Sequence, residues 1–150
     1  MADRSIPWVI FDYKKDSTIA SLETYPLDFK TMEPGKLYRV APMPNDPNVE
    51  PILWQLWERG NVGIFIDESY MMPTDGAINA ILTQGRSKSV PVIALTQRPV
   101  FVPRFFFTEA DFFQTFWLND ARDRKTVTSF QPAETEERLP QFHSYYYDSS

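Results

Sequence analysis

Cysteine is absent from the chain. That excludes disulfides, thiolate metal sites and cysteine nucleophiles, and it fits a reducing compartment. Histidine occurs once, at His143, and no recognisable motif sets Ser and Asp around it. A catalytic triad or a zinc site therefore has little support. Glycine is scarce, at five residues, and no Gly-rich cofactor loop is visible. No apolar run approaches the roughly 20 residues of a membrane-spanning helix, and the run Trp8–Phe11 is far too short for a signal peptide. The formal charge of −5 provides no overall basic field for nucleic acid, although a local basic patch is compatible with it. These absences predict a soluble, intracellular protein with no membrane partner.

What is present is a core. Hydrophobic residues make up 43% and aromatic residues 15% of 150 positions, which suits one domain over 1–150. Trp8–Phe11 is a continuous apolar run, so it reads as a buried strand with both faces covered. It ends in Asp12-Tyr13-Lys14-Lys15. A short helix is predicted near 17–23, with Ser17 or Thr18 at its cap, and a weaker strand at 37–41. Three prolines in 42–48 mark a loop. Asp46 or Asn48 is placed to cap the following helix, whose apolar stripe is Ile52, Leu53, Leu56 and Trp57, and Gly60 ends it. A strand follows at 62–66. A second helix carries Ile78, Ile81 and Leu82, with Thr74 or Asp75 as cap and Gly85 as stop. Residues 90–99 and 111–118 read as further strands, 119–130 as a capped, charged helix, and 140–148 as a late aromatic strand.

This alternation predicts an α/β domain with a mostly parallel sheet flanked by helices. Parallel strands present functional residues at their carboxyl ends. Three predicted strands end in polar groups: Asp12 with Lys14 and Lys15, Asp67 with Glu68, and Thr96 with Gln97 and Arg98. Parallel pairing of 8–12, 62–67, 91–96 and 112–118 would line those groups along one sheet edge. An acid at such an end can hold Mg²⁺ through its water shell, and a second acid beside it can orient an attacking water. The alternative is that Asp67 and Glu68 only cap the helix that follows.

The neighbouring motifs weigh on that choice. Asp12-Tyr13-Lys14, Ile64-Phe65-Ile66-Asp67-Glu68, Arg86 and Thr96-Gln97-Arg98-Pro99 occur in this order, followed by "FWLNDARDRKTV" at 116–127. The set, over roughly residues 8 to 128, resembles the FtsK–HerA superfamily of P-loop ATPases, and most of all its compact viral DNA-packaging members. The resemblance implies a RecA-like (ASCE) nucleotide-hydrolase core and a DNA-translocating motor for viral genome packaging or DNA transfer. It implies Asp67 as the Mg²⁺ residue through water, Glu68 as catalytic base, Gln97 as γ-phosphate sensor, and Arg86, with Arg98 as second choice, as a finger reaching a neighbouring subunit. Asp12 and Lys14 are implied on the nucleotide side. The implied partners are DNA and further copies of the chain in a ring, in host cytoplasm or virion.

One family element is missing. The only Gly-Lys pair, Gly35-Lys36, is followed by Leu37, with Lys30 where the loop's first glycine belongs and Pro34 within it. This is not G-x-x-x-x-G-K-[ST], and Pro34-Gly35 reads as a turn. Only seven residues precede Trp8. The first strand and phosphate loop are thus expected to be absent from this core. ATP and Mg²⁺ are then implied only if a second chain or an extension supplies them. The competing expectation is a catalytically inactive ATPase fold kept for assembly. Seven Phe and one Trp in 101–117 read as core packing ahead of base stacking.

Overall fold

The computed structural model describes residues 5–24 and 29–150. The chain forms two compact units, Met1–Thr96 and Gln97–Ser150. The first holds a five-stranded sheet in the order β2-β3-β1-β4-β5, formed by β1 (Trp8–Asp12), β2 (Glu23–Thr24), β3 (Leu37–Val40), β4 (Gly63–Asp67) and β5 (Val92–Ala94). Every pairing is parallel. Helices α1 (Val49–Arg59) and α2 (Ala77–Gln84) pack against each other. The buried strands expected at 8–11 and 62–66 follow from this geometry, since a parallel sheet needs cover on both faces, whereas β5, expected to be buried as well, is half-buried at Val92 and Ile93 and exposed at Ala94. All of β1 is buried, and Val9, Phe11, Ile64, Ile66, Leu53, Leu56, Ile78 and Ile81 form the centre of the core. Each such side chain contributes about 1.5–3 kcal/mol on burial.

Gly63 shows why one residue of β4 carries no side chain. It pairs in register with Trp8, and a Cβ there would stand 2.2 Å from the indole.

Several expectations give way. The helix near 17–23 is a single 3-10 turn, Ser17–Ile19, capped by Asp16 rather than by Ser17 or Thr18, and the chain is extended again at β2. Asn48 stands at the N-cap of α1 without a side-chain bond, while Asp46 accepts from Asn48 N at 2.9 Å within the loop. Neither Thr74 nor Asp75 caps α2. Its first amide, Ala77 N, donates to the Glu50 carboxylate of α1 at 2.7 Å, a partner brought by the fold. Gly76 leaves room for that carboxylate and takes a φ of +70°. Pro34-Gly35 is a turn as expected.

In the second unit, α3 (Phe105–Thr108), β6 (Phe112–Phe116), α4 (Ala121–Thr128) and β7 (Ser144–Asp148) follow in order. Strand β6 was expected to be parallel with the main sheet. It pairs antiparallel with β7 instead, from Phe112 opposite Asp148 to Phe116 opposite Ser144. The aromatic run is only partly core. Phe106 is buried and Phe107 stacks on Phe130 at 4.8 Å, whereas Phe101, Phe112 and Phe116 are exposed. Strand alternation explains this: one face of β6 meets its own unit and the other does not. Among the described residues, no helix is long and apolar enough to cross a membrane.

Candidate functional site at the carboxyl ends of the parallel strands

Strands β1 and β4 run side by side and end together, with Asp12 opposite Asp67. At the end of β4 the backbone changes hand. Glu68 has φ 63° and ψ 66°, left-handed values that a residue with a Cβ adopts at a cost of about 1–3 kcal/mol. Two backbone bonds hold this kink. Leu95 N donates to Ile66 O at 2.9 Å, and Ser69 N donates to Leu95 O at 2.8 Å. Leu95, the residue after β5, thereby brackets Asp67 and Glu68.

The Glu68 carboxylate is almost buried, at 5% exposure, and Lys14 Nζ meets it at 2.5 Å. The same ammonium lies 3.9 Å from Asp67. The hydrogen bond to Glu68 raises the Lys14 pKa, against the opposing pull of desolvation. Asp67 titrates above its ordinary value. Partial burial is the main cause, and Glu68, Asp12 and Asp16 add to it against Lys14.

Asp12 is different. It is fully buried and accepts from Arg39 Nε at 2.9 Å and from Asp16 N at 3.0 Å. It ties the end of β1 to β3 and to the loop that carries Lys14. Between them, Tyr13 donates to Met72 Sδ at 3.4 Å, and burial, with Asp46, pushes its phenol up to about 12. The Asp-Tyr-Lys triplet therefore divides its work: Asp12 braces, Tyr13 packs and Lys14 faces the acids.

Of the predicted site residues, the structure brings Asp12, Lys14, Asp67 and Glu68 together. Arg86 does not join them. It lies on the 3-10 turn Gly85–Lys88, ahead of β5, at the edge where the parallel strands begin. The five residues of β4 put that edge on the order of 15 Å from the acids. Gln97 follows Thr96 directly and opens the second unit. There Arg98 Nε donates to Asp123 at 3.0 Å. Sequence reasoning missed Arg39 and Asp123, the partners of Asp12 and Arg98. Their one signal is a charge at an inward position, Arg39 inside a strand and Asp123 in the first turn of α4. Among the described residues, no three acids or histidines form a cage for a metal ion. A cation there would rest on Asp67 and on ligands from outside the protein.

No family model matches the chain. It is 43% identical over 157 residues to the DNA packaging ATPase P9 of Enterobacteria phage PRD1, covering 94% of this chain and 69% of that protein. The chain belongs to the viral DNA-packaging ATPases of the FtsK–HerA type. Solved packaging ATPases share its fold. The genome packaging NTPase B204 of Sulfolobus turreted icosahedral virus 2, in complex with sulfate, superposes with a TM-score of 0.77 at 19% identity, covering 96% of this chain and 76% of that one. Its complex with ATP-gammaS gives 0.76 at 19% identity, over 95% and 78%. The B204 DNA-packaging ATPase of Sulfolobus turreted icosahedral virus gives 0.72 at 18% identity, over 95% and 78%. The parallel sheet of this packaging ATPase is accordingly that of a P-loop NTPase-like α/β core.

Proposed function

We propose that this packaging ATPase serves the viral genome-packaging motor by carrying the water-activating and sensing side of an ATP-hydrolysing site. The placement of Asp67 and Glu68 carries the reading: two acids end a central parallel strand, on a strained turn that Leu95 locks. Glu68 orients the attacking water and takes its proton, as a positioned carboxylate base does. Lys14 Nζ meets that buried carboxylate at 2.5 Å. Asp67 ends β4 with its side chain 22% exposed, which leaves it open to a divalent cation. A Mg²⁺ ion held there through water would neutralise charge on the phosphate oxygens. Gln97 reads the γ-phosphate from the end of the β5 segment.

No phosphate loop lies within these 150 residues, so we place it in a segment outside them, on a second chain or an extension. Strand β5 supports this, since it is the sheet's edge in the described residues and Leu95 is 48% exposed there. Arg86 stands at the far edge from its own acids, which suits a finger that completes a neighbour's site in a ring of copies around DNA.

The test is turnover in a motor that includes the phosphate-loop segment. Glu68→Gln should leave ATP binding largely intact and slow hydrolysis by at least about a hundredfold. Turnover indifferent to Glu68 would reduce the acids to a strand end and its turn.

A further inference from the structure

Asp123 is 1% exposed. A buried carboxylate is tolerated only where hydrogen bonds and opposite charge compensate its lost water, and both of its oxygens are spent on one short segment. Oδ2 accepts from Arg98 Nε at 3.0 Å, and Oδ1 accepts from Val100 N at 2.9 Å. Pro99 stands between these two contacts and starts a 3-10 turn, in which Phe101 N donates to Arg98 O and Val102 N to Pro99 O, both at 3.0 Å. The Arg98 guanidinium lies 4.9 Å over the Phe101 ring, with a terminal nitrogen 3.9 Å from Asp120. Asp120 is also the cap of α4, accepting from Arg122 N at 2.8 Å and Asp123 N at 3.4 Å. The start of α4 and residues 98–102 are therefore one braced piece.

We infer that Asp123 is a positioning residue for Gln97, acting within its own subunit through Arg98 and the Val100 amide. The inference rests on the hydrolysis reading above and names what holds its sensor. Gln97 is one residue upstream of Arg98 and two downstream of Leu95. Within its own unit, the Asp123 clamp fixes the backbone that follows Gln97 to the start of α4. A side chain that reads a phosphate oxygen needs such a backbone, because a displacement of about 1 Å can cost on the order of a hundredfold in rate. The clamp also separates the two arginines proposed as fingers. Arg98 has its Nε committed to Asp123 and a second acid beside it, which makes it a brace in its own subunit. The finger role falls to Arg86.

The experiment uses the motor with its phosphate-loop segment and measures ATP turnover and melting temperature for Arg98→Lys and Asp123→Asn. Lysine keeps the charge and the stem over Phe101 but has no planar Nε–H to meet the carboxylate. It carries the test if Asp123→Asn does not fold. Both variants should lower kcat about tenfold or more, leave KM for ATP within about twofold, and gain nothing when mixed with Glu68→Gln subunits. Three results would overturn the positioning role: a kcat within about twofold of wild type, a loss confined to melting temperature, or rescue on mixing. Undiminished turnover in the Glu68→Gln motor would instead overturn the hydrolysis reading, and this inference with it.

Discussion

Asp12→Ala would strip a buried guanidinium of its partner. The Arg39 side chain is 11% exposed and that of Asp12 is 1% exposed, with 2.9 Å between Nε and Oδ2. Removing one member of a buried pair strands the other charge, at a cost of about 3–5 kcal/mol. The bonds from Asp16 N to the same carboxylate disappear as well. Domains of this size carry only about 5–15 kcal/mol in total. At about 2–4 °C per kcal/mol for a chain of this length, the melting temperature should fall by on the order of 6–20 °C. Arg39→Met should be destabilising too, though less, because Asp12 keeps the Asp16 amide. Removing both charges together, as Asp12→Leu with Arg39→Met, should return to within about 2 kcal/mol of wild type, since well-packed apolar residues replace buried pairs at little cost. Urea unfolding of the four proteins, followed by tryptophan fluorescence, closes the cycle. An Asp12→Ala protein within about 1 kcal/mol of wild type, or strictly additive single effects, would refute the brace and return Asp12 to the nucleotide side.

Two other perturbations read the site's supports. Gly63→Ala drives a methyl group to 2.2 Å from the Trp8 ring, so it should cost about 1–3 kcal/mol by overpacking, and Trp8→Leu should relieve it in a thermal melt. Asp67→Asn should raise the melting temperature at neutral pH. The Asp67 pKa is raised on folding, so the native state binds the proton more tightly than the unfolded chain, and the ionised group costs stability above that pKa. The cost fades as pH falls through the raised value toward the ordinary 3.8, so the advantage of asparagine should fade with it. A lower melting temperature for Asp67→Asn at neutral pH would contradict the assignment.

The central strands were legible in the sequence for a simple reason. Trp8–Phe11 and residues 62–66 are short apolar runs that stop at acids, and a parallel strand buried on both faces must look like that. Helix α1 was equally plain, because Ile52, Leu53 and Leu56 repeat at its period and are buried. Helix α4 was legible as a capped, charged segment, and the structure shows Asp120 to be the side chain that caps it. The order of Asp12, Asp67-Glu68, Arg86 and Gln97 was enough to name a family.

Other features depended on residues far apart in the chain. The partner strand of β6 is decided by tertiary pairing, because an aromatic run of that period fits a parallel slot or a hairpin with β7 equally well. The cap of α2 comes from Glu50, 27 residues earlier. Arg39 reaches Asp12 across 27 residues and Arg98 reaches Asp123 across 25. Periodicity reports which face of an element is apolar, and by itself it is silent about which charge that face will meet. The sequence by itself determined the central strands, the two acids and their order. Only the tertiary structure decided that Lys14 meets Glu68, that Asp12 braces and that Asp123 holds Arg98, because a buried charge is settled by the partner the fold delivers.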